Sequence, residues 1–197
     1  MAVTLQLHTP PSAGFDEPFG MLHACHGRVE RTLALLRLLG EHLAARGDEG
    51  SDGQARDAAA DVQRYFDVAA PLHHQDEALH VFPVLRATGQ AALADALHAE
   101  HERMEALWQP IRSDLQAIQA GITPAGEALA EVRNRWADFA ALYARHIAVE
   151  EELAYPQAQS GLGLHEQEAM GRDMAQRRGV RGVRYPDLAE RSQEVAP

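Results

Sequence analysis

Along four long stretches of this chain, apolar residues recur in alternating steps of three and four, the spacing that turns one face of a helix toward a core. The first stretch gives Leu22, His26, Val29, Leu33 and Leu36, and the second gives Val62, Phe66, Ala69, His73, Glu77, His80 and Val84. The third runs Leu93, Leu97, His101, Met104, Trp108, Ile111, Leu115 and Ile118. The fourth runs Val132, Trp136, Phe139, Tyr143, His146, Glu150 and Leu153. Glycine and proline punctuate these stretches. Asp16 and Pro18 open a first helix predicted to reach about residue 45, and residues 47–53 are a loop by composition. A second helix is predicted over about 54–85, with Pro71 kinking or locally breaking it, because proline removes a backbone donor and presses on the preceding turn. Thr88 and Gly89 form a turn, and a third helix covers about 91–119, stopping near Gly121. Pro124 opens a fourth, which is expected to end just before Pro156. A shorter helix over about 165–178 follows. Residues 1–15, with Pro10, Pro11 and Gly14, read as an irregular lead-in, and 179–197 as an extended or disordered tail.

Composition supports an all-α fold. Alanine and leucine dominate, aromatic residues make up only 6%, and 197 residues suit one core, assigned to residues 16–178. A net charge of −11 speaks against nucleic acid, whose binding requires Lys and Arg to neutralise phosphates, and against an anionic membrane surface. The single cysteine, Cys25, excludes an intramolecular disulfide framework and a thiolate-rich metal site. There is neither a basic-then-apolar N-terminal segment nor an apolar run long enough to span a bilayer. The expectation is a soluble cytoplasmic protein, monomer or homodimer.

The seams carry the chemistry. Each of the four places at least one histidine among its interior positions, and two add a glutamate one turn further on: His73–Glu77 and His146–Glu150. Residues four apart share a helix face, with Cβ atoms about 5–6 Å apart, so each pair can bind one metal, or its carboxylate can bridge two. Buried ionisable groups are costly unless paired or ligated, and a metal compensates neutral imidazole and ionised carboxylate alike. Imidazole with carboxylate and no thiolate suits iron, manganese or zinc. Six such groups exceed one tetrahedral zinc but suit two metals sharing carboxylates and a bridging oxygen species. Ferritin-like bundles carry Glu-x-x-His; here histidine leads, and the richer nitrogen ligation favours reversible binding over oxidase chemistry.

The segments ACHGRVE around His26, YFDVAAPLHHQDEALHVFPVL around His73, EHERM around His101 and YARHIAVEEELAYPQA around His146 resemble the hemerythrin-like (HHE cation-binding) proteins, over about residues 16–178. The resemblance implies an up-down-up-down four-helix bundle with an additional short C-terminal helix. It also implies a non-haem centre of two iron ions with a bridging oxo or hydroxo, zinc and manganese being alternatives. The implied ligands are His26, His73, Glu77, His101, His146 and Glu150, the two glutamates bridging. The family's oxygen carriers have a second histidine one turn before the third-helix ligand, and here that position is Leu97. His98, Glu105 and His74 are candidates to complete the coordination. Asp76, Glu151 and Glu152 are expected to orient ligands or stay solvated, Tyr143 to hydrogen-bond in the pocket, Cys25 to fill space, and His23 not to ligate. The leading functional expectation is a protein binding dioxygen, nitric oxide or peroxide, or iron itself, for sensing, storage or stress response. Its rival is an enzyme that consumes peroxide or nitric oxide or supports iron–sulfur repair. A third reading is an interaction protein with a structural metal.

Overall fold

The structure, a computed structural model, describes residues 13–181. Most of the lead-in and nearly all of the tail lie outside the described residues. Among the described residues the fold is all-α, with no strand. None of the helices among the described residues is long and apolar enough to cross a membrane. The described residues divide into two compact units, 26–161 and the combination of 13–25 with 162–181.

Four helical stretches build the larger unit. The first is the part of α1 (Pro18–Arg46) from His26 onward. The second comprises α2 (Gly53–Arg64), a π turn at Tyr65–Ala69, α3 (Ala70–His80) and α4 (Phe82–Ala87). The third is α5 (Ala91–Gln119). The fourth comprises α6 (Gly126–Val149), a π turn at Glu150–Ala154 and α7 (Tyr155–Gly161). Gly89 and Gly121 adopt φ values of 84° and 82°, the left-handed region that costs glycine no Cβ clash, and there the second and third stretches end. Asp52 caps α2 by accepting from the Ala55 amide at 2.8 Å, and His42 on α1 lies 3.1 Å from the same carboxylate. The Ser51 amide donates to Thr123 Oγ1 at 2.8 Å, tying the loop before α2 to the one before α6.

Prolines shape the helices differently from expectation. Pro71 does interrupt its helix, but through a π turn immediately upstream rather than a simple kink. Pro156 does not end the fourth stretch: a second π turn precedes it, and the chain continues helically to Gly161. A π turn is wider than an α turn, so a proline two residues beyond it no longer presses its ring on the carbonyl four residues back. Each π turn also inserts a residue and slips the seam. Ala154 is therefore buried in place of the expected Leu153, which is 47% exposed, and Ala70 is more deeply buried than Ala69. After the break at Val81, Val81 and Leu85 are buried, while His80 and Val84 are only partly so.

The interior contains Val29, Leu33, Leu36, Val62, Ile111, Leu115, Val132 and their neighbours, closed by a cluster of Phe66, Trp108, Phe139 and Tyr143. Both tryptophans place their indole N–H on a carboxylate, which removes the cost of burying that donor. Trp108 donates to Asp67 at 2.9 Å, where Arg112 also donates at 3.0 Å and Gln63 at 3.0 Å. Trp136 donates to Asp114 at 3.1 Å, joined by Arg135 at 2.9 Å. These two carboxylates lock α5 to the first π turn and to α6.

In the smaller unit, Phe19, Met21, Leu22 and Cys25 of α1 are buried, as are Met170, Met174 and Ala175 of α8 (Leu164–Arg177). The Glu166 carboxylate accepts from the Gly163 amide at 2.8 Å at the start of α8, and the Arg178 guanidinium lies over the Phe15 ring at 5.9 Å.

Burial alone would raise Asp67, but hydrogen bonds from Gln63, Trp108 and Arg112 outweigh it and hold the carboxyl below its ordinary value. A depressed folded pKa stabilises the fold above the unfolded pKa, and that contribution disappears as pH falls through the folded value. Asp67→Asn is therefore expected to destabilise the protein by about 1–2 kcal/mol at neutral pH. Urea melts should show the difference from wild type shrinking toward zero as pH drops below the usual carboxylate range.

Candidate metal centre

Four helical stretches each aim one imidazole at a common point. His26 comes from α1, His73 with Glu77 from α3, His101 from α5 and His146 from α6, while Glu150 opens the second π turn. All six are buried, none more than 7% exposed. They form two subsets sharing Glu150. Ligand atoms of His26, His73, Glu77 and Glu150 lie within 4.8 Å of one another, as do those of His101, His146 and Glu150.

The carboxylates straddle the two subsets. Glu77 Oε1 lies 3.2 Å from His73 Nε2, and Glu77 Oε2 lies 3.4 Å from His101 Nε2. Glu150 Oε2 lies 3.1 Å from His26 Nε2, and Glu150 Oε1 lies 2.9 Å from His146 Nε2. The Nε2 atoms of His101 and His146 approach to 2.9 Å. Despite these distances, Glu77 Oε2, both Glu150 oxygens and His73 Nδ1 have no aligned hydrogen bond. Buried polar atoms are almost always satisfied, so a concentration of orphans on three of six convergent side chains points to a missing partner. Ligands at about 2.0–2.2 Å from a metal sit about 3 Å apart when adjacent, which matches the spacings here. The donor set thus fits metal cations.

Further carboxylates orient the rings. Glu151 Oε1 accepts from His26 Nδ1 at 2.9 Å, and Glu100 Oε2 from His146 Nδ1 at 2.8 Å. Each such bond fixes the tautomer whose Nε2 lone pair faces the centre. Glu151 therefore has the orienting role that was one of its two expectations. Glu100 was missed, because nothing in its spacing separates it from the other solvent-side glutamates of α5. Asp76 is buried beside Glu77, and Glu152 is exposed.

Of the groups considered for completing the coordination, His98 and Glu105 are exposed. His74 is closer. Its ring stacks on His101 with centroids 3.9 Å apart, and its Nε2 lies 3.4 Å from the Tyr143 hydroxyl. His74 and Tyr143 also line a cavity of about 240 Å³, together with Phe66, Met104, Glu105 and Trp108. Leu97 is buried where a second α5 histidine would stand, and His23 is exposed.

The electrostatics show what the cluster costs without a cation. Burial, reinforced by the charge of Glu150, pushes Glu77 well above the usual carboxylate range. Burial acts the same way on Glu150, but the close imidazoles of His101, His146 and His26 override it and hold that carboxyl well below. Burial also pushes His73 and His74 well below the ordinary imidazole value, each helped by neighbouring imidazoles. Two carboxylates in one dry site do not both ionise unless positive charge is supplied.

One group at the centre was not anticipated. Tyr155 is 1% exposed, donates its hydroxyl proton to Glu77 Oε1, and has that oxygen 3.0 Å from His26 Nε2. Five residues along an α-helix turn a side chain roughly 140° from where it began. The π turn, in which the Tyr155 amide bonds the Glu150 carbonyl, returns Tyr155 to the Glu150 face. A period of 3.6 residues places it off the seam, so only the π turn reveals it.

With this geometry in view, comparison with known proteins is informative. The chain matches the hemerythrin family, described as the Hemerythrin HHE cation binding domain, over residues 17–158. It is also 31% identical over 175 residues to an uncharacterized protein of Haemophilus influenzae, an alignment covering 86% of this chain and 94% of that protein. The chain belongs to the hemerythrin HHE cation-binding family.

The two glutamates should respond oppositely to neutralisation in protein kept metal-free by a chelator. Glu77→Gln is expected to leave the melting temperature unchanged or raise it, since an amide replaces a carboxyl that burial already favours protonated. Glu150→Gln should cost about 3 kcal/mol, because it strips three buried imidazoles of their shared anion. Thermal melts of both variants check the contrast, and equal losses would contradict this charge assignment.

Proposed function

We propose that this chain is a non-haem di-iron binding protein, built as an up-down-up-down four-helix bundle over residues 16–178, that binds dioxygen, nitric oxide or a peroxide for sensing, storage or stress response. Short connections around residues 88–90 and 120–125 join stretches that pack on one another, α4 on α5 and α5 on α6, as antiparallel neighbours do. The observation that carries the functional reading is the straddling of Glu77 and Glu150. Glu77 directs one oxygen to His73 and the other to His101, and Glu150 one to His26 and the other to His146, the disposition of carboxylates that bridge two cations.

In this reading His26 and His73 serve one ion, His101 and His146 the other, and Glu77 and Glu150 both. Imidazole and carboxylate without thiolate suit iron, with zinc or manganese as alternatives. When bound, a reduced iron pair supplies electrons to a small oxidant. The protein's own part is to orient the imidazoles through Glu151 and Glu100, to exclude bulk water, and to offer a route past His74 and Tyr143. The 240 Å³ cavity there suits a diatomic molecule or peroxide with a few waters, each water occupying about 30 Å³.

Metal analysis and optical spectra of protein purified under reducing conditions and then exposed to air test this reading. The expected result is an iron pair per chain, with a colour change that reverses on removing oxygen. His101→Ala should lose most of the metal, as α5 supplies no other buried histidine, whereas His23→Ala should keep it. Equal retention in both variants would refute the ligand assignment. Peroxide loss far exceeding the iron present would favour an enzyme, and spectra indifferent to redox state a structural metal.

A further inference from the structure

We infer that Tyr155 is itself a ligand, its phenolate completing the coordination of the ion held by His26 and His73; this inference rests on the di-iron reading above. Three observations lead to it. The Tyr155 oxygen touches two proposed donors to the same ion, lying 3.0 Å from His26 Nε2 and donating to Glu77 Oε1. The contact to His26 matches the other donor spacings of that subset, 3.1 Å from His26 to Glu150 and 3.2 Å from His73 to Glu77, while the hydroxyl stands closer still to Glu77. Adjacent ligands around a metal with bonds of about 2.0–2.2 Å stand about 3 Å apart, so the hydroxyl occupies a ligand's position in the set.

The ring is held for that purpose. It stacks on the His26 imidazole at 5.3 Å with an interplanar angle of 12°, and it is 1% exposed at the start of α7. A tyrosine serving only to anchor Glu77 could donate from the far side of the carboxylate. This one instead sets its oxygen against both Glu77 Oε1 and His26 Nε2, and the π turn that begins at Glu150 puts it there.

Charge favours the same assignment. Two ferric ions bring six positive charges into a dry interior, against two from Glu77 and Glu150 and two from a bridging oxide. A phenolate removes one of the remaining two where no solvent can screen it. On binding, the phenolic O–H bond breaks, its proton leaves to solvent, and the freed oxygen lone pair forms the iron–oxygen bond, with no change in oxidation state. The two ions then differ. The one held by His26 and His73 gains an anionic oxygen donor. The one that His101 and His146 would hold has Leu97 where an imidazole would stand, and His74, stacked on His101, lines the neighbouring cavity.

A ferric phenolate has an intense visible charge-transfer band, and resonance Raman excited in that band enhances tyrosine ring modes. Air-oxidised, iron-loaded wild type should show both. Tyr155→Phe, which keeps the ring and its stacking, should lose the band to baseline while retaining most of the iron, and Tyr143→Phe should keep the band. Ring-deuterated tyrosine in the wild-type protein should shift the enhanced modes, a test that does not depend on any variant folding. Iron-loaded wild type without the band, or a band surviving in Tyr155→Phe, would overturn the assignment and leave the di-iron reading standing. Wild type that takes up no iron would overturn both.

Discussion

Glu77 and Glu150 face each other across an interior from which water is almost wholly excluded, each no more than 1% exposed. Like charges at this depth repel strongly, and each alone already resists ionisation through lost hydration. The opposite pulls on the pair, Glu77 upward and Glu150 downward, are the response of a site that lacks enough positive charge for both. The four imidazoles supply only part of it. Their Nε2 atoms crowd one another, as His101 and His146 do at 2.9 Å, so protonating several together is also unfavourable. A divalent or trivalent cation resolves both conflicts, turning the lone pairs that repel one another into ligands. Because the unfolded chain holds no such arrangement, occupancy and fold stability are linked.

Such a cluster persists only in a frame that does not relax around it. Asp67 and Asp114 provide much of that frame: each gathers an indole N–H and a guanidinium, joining α5 to the first π turn on one side and to α6 on the other. The aromatic cluster of Phe66, Trp108, Phe139 and Tyr143 lies between these clamps and the centre. Rigid packing of this kind keeps ligand atoms at metal-ready spacing, and the Glu151 and Glu100 carboxylates hold the rings in one tautomer.

Much of this was legible from the sequence, because a buried helix face must repeat every three or four residues. His26, His73, Glu77, His101, His146 and Glu150 stood out as ionisable residues on otherwise apolar seams, and the structure brings all six together. Legibility failed where the helical period changes. Leu153 was assigned to the interior and Pro156 to a helix end on the assumption of an unbroken 3.6-residue repeat, and the π turn at Glu150–Ala154 invalidates both. The same turn hid Tyr155. A proline inside a helical stretch, as at Pro71 two residues before His73, was a readable warning that the register could shift. Glu100 was illegible for another reason: it acts from a partly exposed position, and its partner His146 lies on a different helix, so no local pattern marks it.

The two ends of the centre are not chemically equivalent, and the asymmetry follows from single positions on two helices. On α5, Leu97 withdraws an imidazole from the side of His101 and His146. At the start of α7, Tyr155 adds an oxygen on the side of His26 and His73. Anionic oxygen donors favour the higher oxidation state of iron, whereas a less crowded imidazole site has room for an incoming ligand. A cavity adjoins the less crowded side: His74 lines it, stacks on His101 and sits 3.4 Å from the Tyr143 hydroxyl. Burial favours the neutral forms of both His74 and Tyr143. Asp67, its carboxyl held below the ordinary value, and Glu105 line the same cavity, so negative charge stands beside these neutral groups. Such a lining suits a diatomic molecule or a neutral peroxide better than an anion, which the carboxylates repel.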